Sequence, residues 1–450
     1  MLATKAELHV PSELLPRLFE ARRQTDALFE LVRADSLYER PIPERHRIIF
    51  YVGHLEAFDR NLLRGRLLSP ASSDPDLDRL FAFGIDPVGG GLPTDQPSDW
   101  PALDQVRQYV QRTRDKLDQG LASLRDGSRP GTGEFSPALL LNVAIEHRLM
   151  HAETLAYMLH RLPYDQKNAP PRPARLALVP DISTMMEVPA GPGPAMLGLF
   201  RNGDAFGWDN EFQRHWVDIP SFAIDRYKTK NSQYLEFMNS GGYDNRTWWS
   251  DADWLWKESN GISHPAFWRR EGDGQEWFWK GMFDEIPLPP DWPVYVSHAE
   301  ASAYARWAGK SLPTEAQWQR AAYGSPDGQC REYPWGSKSP DTTRGNFNFE
   351  NWDPVSVGAY LQSASAFGVE DMLGNGWEWT STVFAPFAGF EPFPFYPGYS
   401  ADFFDGKHFV IKGASMRTAA CMLRPSFRNW FQPHYQYVYA GFRCVSNPLA

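Results

Sequence analysis

The chain has 450 residues, 42% of them hydrophobic and 14% aromatic, with 18 tryptophans and a formal net charge of −10. That length exceeds one ordinary hydrophobic core, so two domains are expected. The acidic balance argues against general nucleic-acid or anionic-membrane binding, which needs dense Lys/Arg surfaces, and leaves small molecules as the expected partners.

From Ser12 to about Val32, apolar residues recur at helical spacing (Leu14, Leu15, Leu18, Leu28, Leu31). A second helix is expected from Glu44 to Arg64, because Pro43 suits a helix start and Ile48, Ile49, Val52, Leu55, Phe58 and Leu62 share one side. A Gly/Pro/Asp-rich stretch from Ser69 to Pro101 then breaks the pattern. Two further periodic segments follow, Leu103 to Leu124 and Pro137 to Leu162, and four such helices predict a four-helix bundle over 1–167.

The run Asn168-Ala169-Pro170-Pro171-Arg172-Pro173 opens a proline-rich linker, placed at 168–180. Over 181–450, Gly, Pro and aromatic residues punctuate short segments, as expected of an α+β domain. Helices are expected there only over Ser297 to Gly309 and Thr314 to Ala322. The second opens with Thr314 as N-cap and Gln317 at the capping-box position.

Three cysteines, Cys330, Cys421 and Cys444, are too few and too odd for a secreted disulfide framework. Met1 to Glu7 lacks the apolar core of a signal peptide, and no stretch reaches the roughly 18 apolar residues of a membrane span. A soluble cytoplasmic protein is expected.

The densest chemical signal is His147-Arg148-Leu149-Met150-His151-Ala152-Glu153 on the fourth helix. Residues advance about 100° each, so His147 and His151 project from nearly one face, about 6 Å apart, and can take adjacent positions on one metal ion. Eleven histidines would produce such a pair by chance in about a quarter of chains of this composition, so spacing alone assigns nothing. Placement adds weight: the helix is apolar around the pair, and buried imidazoles need partners. His54, in the similarly apolar second helix, is the candidate third ligand, with His46 its rival. A two-histidine, one-carboxylate site would use Glu56 or Glu153, although Glu153, about 240° around the helix from His147, does not easily share a metal with both histidines. Imidazole nitrogen suits Zn, Fe, Cu or Ni.

The arrangement of His54 with His147, His151 and Glu153 resembles the DinB-like domain of the sulfoxide synthases of ergothioneine biosynthesis. The second half is similar to the formylglycine-generating-enzyme-like domain, a modified C-type-lectin fold. The matching signatures there are Phe206-Gly207-Trp208-Asp209-Asn210-Glu211, Leu312-Pro313-Thr314-Glu315-Ala316-Gln317-Trp318, Gly374-Asn375-Gly376-Trp377-Glu378-Trp379-Thr380 and Ala440-Gly441-Phe442-Arg443. Together the two similarities span nearly the whole chain in the family's order.

The resemblance implies Fe(II) held by His54, His147 and His151, with O2 as co-substrate. A small thiol would be coupled to hercynine (N-alpha-trimethylhistidine) to give a sulfoxide, at a centre facing a pocket of the second half. Phe393-Pro394-Phe395-Tyr396-Pro397-Gly398-Tyr399-Ser400 resembles the segment carrying the family's active-site tyrosine, which falls on Tyr396. A phenol can donate a proton to the reacting oxygen. Arg424-Pro425-Ser426-Phe427-Arg428-Asn429-Trp430 resembles the hercynine-holding segment, placing Arg428, Asn429 and Trp430 among the substrate contacts. Two positions depart from the family. Phe431 stands where the actinobacterial type has Asp, which points away from gamma-glutamylcysteine and toward free cysteine or another small thiol. Met150 stands where Gln is common, and its thioether donates no hydrogen bond to substrate.

Selenoneine synthases, which use a selenosugar donor, resemble the chain over both halves. True formylglycine generation is disfavoured, since Cys421 and Cys444 stand far apart in sequence. A non-catalytic ligand-binding module is the alternative outside enzymology.

Overall fold

The computed structural model describes residues 11–68, 72, 74–84, 92–125, 135–170, 185–189, 194–201, 203, 205–272 and 276–446. The chain forms two compact units, Met1–Pro171 and Arg172–Ala450. Residues 171–180 of the expected linker and the Met1 to Glu7 segment lie outside the described residues. No described helix is long and apolar enough to cross a membrane.

In the first unit, α1 (Leu14–Glu30) buries Leu14, Leu15, Leu18, Ala21 and Leu28 at the spacing its sequence predicts. Helix α2 (Ile48–Leu63) starts four residues later than expected. Arg47 is extended, with its guanidinium fastened to Asp95 at 3.0 Å and to the Tyr38 carbonyl at 2.7 Å, so the preceding segment is pinned rather than wound. A helix not foreseen, α3 (Pro75–Phe83), lies within the stretch read as a loop. Asp74 caps it, accepting from the Leu77 amide at 3.1 Å, and Pro75 occupies its first turn. Helix α4 (Leu103–Arg125) turns Val106, Tyr109, Leu117 and Leu121 inward. Helix α5 (Pro137–His160) is apolar almost all round and correspondingly buried over most of its length.

Among its described residues, the second unit mixes short helices with four small sheets. Phe409–Ala414 and Gly376–Val383 pair antiparallel at the centre of the largest, flanked by Asn429–Phe431 on one edge and by Ala440–Gly441, parallel, on the other. Helices α6 (Asn231–Asn239), α7 (Asp251–Ser259), α8 (His298–Trp307) and α9 (Glu315–Tyr323) accompany the sheets. The expected capping box opens α9: the Gln317 amide donates to Thr314 Oγ1 at 3.1 Å, and the Thr314 amide to Gln317 Oε1 at 2.9 Å. Trp318, on α9, is fully buried against Phe222, Ile224, Met372 and Ala414.

Three of the sequence signatures meet at one buried carboxylate. Glu378 accepts from Arg443 at 2.6 and 2.9 Å and from Trp318 Nε1 at 2.9 Å, and Lys228 Nζ lies 3.1 Å away. These motifs therefore build the scaffold. Gly374, with φ near 88°, is needed for the same reason, since a Cβ there would stand 2.6 Å from the Asn346 carbonyl oxygen.

Candidate metal centre

Helix α2 supplies His54 and α5 supplies His147 and His151, and one nitrogen from each ring lies within 4.8 Å of the other two. Ring centroids are 4.5 Å apart for His147 and His151, 5.1 Å for His54 and His151, and 5.5 Å for His54 and His147. Apolar rings hold them in place. Phe58 stacks on His147 at 3.4 Å and Phe50 on His54 at 4.6 Å, while Tyr51 packs against His151 at 5.5 Å.

His54 Nδ1 lies 2.8 Å from the Phe81 carbonyl oxygen of α3. A carbonyl only accepts, so Nδ1 carries the hydrogen and Nε2 the lone pair that a metal takes. That contact depends on a glycine: a Cβ at Gly53 would meet the Phe81 ring at 2.4 Å, so α3 could not approach α2 so closely. Burial drives the His54 pKa down to about 4, against the pull of the Phe81 carbonyl. Burial also pushes His147 and His151 well below the ordinary imidazole range, helped by the neighbouring histidines and Arg148. All three rings are therefore neutral at neutral pH, the form that ligates.

This donor set fits a divalent transition metal. Three neutral imidazoles converge, and among the described residues His151 Nδ1 is buried without a hydrogen-bond partner. The other expected ligands fall outside the group. Glu56 is turned into an ion cluster with Arg114 at 2.6 Å and Arg148 at 3.1 Å, and His46 packs on Phe50 at 4.2 Å. Burial would raise the Glu56 pKa, but Arg148, Arg22 and Arg114 outweigh it and hold it at about 2.

In the second unit, Tyr396 and Trp430 share one aromatic neighbourhood, while Asn429 and Phe431 flank Trp430 on the strand Asn429–Phe431. Trp430 stacks on Phe384 at 4.1 Å and meets the edge of Tyr399 at 5.6 Å; Tyr399 in turn lies 5.5 Å from Tyr396. Phe431 stacks on Tyr435 at 5.1 Å. Burial, reinforced by the charge of Asp209, raises the Tyr396 phenol to about 12. Arg428 grips both oxygens of Glu315 at 2.9 and 3.1 Å and donates to the Asn210 and Ala385 carbonyls, which fastens the start of the Asn429–Phe431 strand to α9. Met150 lies between the two α5 histidines in sequence, half-buried.

A family model for the DinB superfamily matches residues 17–155, and one described as the sulfatase-modifying factor enzyme 1-like domain matches residues 180–448. Hercynine oxygenase of Mycolicibacterium smegmatis is 35% identical over 96% of this chain and 97% of its own. The chain belongs to the hercynine oxygenase family. A second member, from Mycolicibacterium thermoresistibile, is 33% identical over 96% of this chain and 94% of its own. Ergothioneine biosynthesis protein 1 of Neurospora crassa is 26% identical over 92% of this chain and 55% of its own. As a hercynine oxygenase family member, the protein is an oxidoreductase.

Three elements of these sites had escaped the sequence reading. The first is α3, signalled only by Asp74-Pro75. The second is the cluster around Arg148. The third is a latch in the second unit: Ser400 Oγ donates to Asp209 Oδ1 at 2.5 Å and accepts from Asn210 Nδ2 at 2.9 Å, fastening the Tyr396 loop to the Trp208-Asp209-Asn210 signature. No local pattern marks a contact between residues 190 positions apart.

Proposed function

We propose that the protein is an iron(II)- and O2-dependent sulfoxide synthase that joins the imidazole carbon of hercynine to the sulfur of cysteine or a similar small thiol. The observation that carries the reading is the meeting of His54, His147 and His151 at one point. The reaction balances without another reductant. The imidazole C–H and thiol S–H are lost, a C–S bond forms, one oxygen atom ends on sulfur and the other leaves as water.

When bound, iron(II) supplies a Lewis acid with open positions for a thiolate and an electron source for O2. The chain's residues do the rest. His54, His147 and His151 hold the metal as neutral ligands, and the Phe81 carbonyl fixes the His54 tautomer. Trp430 offers an aromatic face to the trimethylammonium group, and Asn429 an amide to the substrate carboxylate. Tyr396 keeps its proton at neutral pH and donates it to the reacting oxygen. Phe431, in place of a carboxylate, favours a donor without a gamma-glutamyl amine.

The test is anaerobic iron loading followed by O2, hercynine and a donor panel of cysteine, gamma-glutamylcysteine and a selenosugar, read by mass spectrometry. The expected product is the hercynine–cysteine sulfoxide. A product formed only with the selenosugar would reassign the donor to selenium, and no imidazole product with any donor would sink both readings. Absence of stoichiometric metal would favour a binding module.

A further inference from the structure

Between α5 and α2, next to the histidines in sequence, lies a buried ion cluster that the proposed chemistry does not use. Arg148 follows His147 directly on α5. Its Nη2 lies 2.7 Å from Asp59 Oδ2, 3.1 Å from Glu56 Oε1 and 3.0 Å from the Leu55 carbonyl oxygen, all on α2. Arg148, Glu56 and Asp59 are each essentially inaccessible to solvent. Arg22 and Arg114 close the cluster from α1 and α4, Arg114 reaching Glu56 at 2.6 Å and Asp26 at 2.9 Å.

Burying this many charges is expensive, and packed apolar side chains would stabilise the bundle as well or better. What a guanidinium whose Nη2 is shared among three α2 acceptors supplies is registry, because it cannot slide along α2 without abandoning all three at once. The carbonyl it grips belongs to Leu55, the residue after His54. The clamp therefore joins the two helices at the level of the ligands.

We propose that Arg148 is a positioning residue: through Leu55, Glu56 and Asp59 it sets the register of α5 against α2, and so the separation of His54 from the His147–His151 pair. The inference rests on the metal-centre reading.

The test is cobalt(II) titration of the full-length chain, read by visible absorption, with circular dichroism melting as a check on folding. Variants are Arg148→Lys, whose shorter side chain ends one bond short of the Nη2 position, the triple Arg148→Met, Glu56→Gln, Asp59→Asn, which replaces each charged side chain with an uncharged one, and His54→Ala as a two-ligand reference. The expected result is a folded Arg148→Lys or triple variant that binds cobalt(II) about 10- to 100-fold more weakly, with a spectrum moved toward that of His54→Ala. A folded variant with wild-type affinity and spectrum would overturn the proposal. So would failure of both variants to fold, which would make the cluster a folding determinant. If the wild-type chain takes up no cobalt(II), the metal-centre reading falls first and the proposal with it; uptake by the wild type with unaltered uptake by the variants sinks the proposal alone.

Discussion

Glu378 in the second unit and the three imidazoles of the helical unit are all buried polar groups, yet their surroundings treat them in opposite ways. Around Glu378, Arg443, Trp318 and Lys228 satisfy the charge from several directions. Around His54, His147 and His151 stand aromatic rings, the Phe81 carbonyl and one another, and burial keeps the rings neutral. A fully partnered buried group holds the fold. A group that is buried, neutral and aimed at others of its kind is poised for a ligand. His298 sharpens the contrast: it too is buried and stacked, on Phe409 at 3.8 Å, but it belongs to no metal-capable group among the described residues.

Removing a member from each side separates the roles. His147→Ala should weaken metal binding and lower turnover by at least about 100-fold, while the melting temperature of the metal-free protein stays near wild type. Turnover within a few-fold of wild type would break the comparison. Glu378→Gln should do the reverse, leaving Arg443 and Lys228 buried without their countercharge at a cost of about 3–5 kcal/mol. Denaturant titration would show that loss, with metal affinity of the folded fraction intact.

Acid sharpens the same contrast. Burial lowers the folded-state pKa of His298 from 6.5 to about 4, against the attraction of Asp253. The unfolded chain therefore takes up the proton first. His298 should withdraw up to about 3 kcal/mol as pH falls from about 6.5 to about 4, with no further loss below. His298→Gln should make the acid limb shallower by that amount in urea titrations of the metal-free protein, the lowered histidines of the helical unit supplying the remainder. An unchanged pH profile would mean that His298 keeps an ordinary pKa.

The smallest expected effect lies at Gly53. Gly53→Ala places a methyl group against the buried Phe81 ring and should cost about 1–3 kcal/mol, with weaker metal binding because the Phe81 carbonyl no longer steadies His54. A variant as stable and as metal-avid as wild type would show that α3 does not orient the ligand.

The four long helices were legible because their burial is one-dimensional: Leu14, Leu18 and Leu28, or Val106, Tyr109 and Leu117, lie on a face that period 3.6 predicts. The His147–His151 pair and the Thr314–Gln317 capping box were legible because both are local. Helix α3 was hidden in a stretch rich in Gly, Pro and Asp, although Asp74-Pro75 is a fair start signal. The Arg148 cluster and the engagement of Arg428 with Glu315 were not legible, because their partners stand 89 and 113 positions away. Arg428 shows the consequence: the segment that contains it is recognisable in sequence, but its grip on Glu315 appears only in the fold.

The central claim is that imidazoles from two helices, and no carboxylate, hold one metal ion. X-ray absorption of the anaerobically iron-loaded chain beside its His54→Ala variant tests it most directly. The account predicts one iron per chain with three imidazole nitrogens at about 2.1 Å, falling to two in the variant. Identical ligand shells in the two proteins, or a wild-type chain that retains no stoichiometric iron, would contradict it.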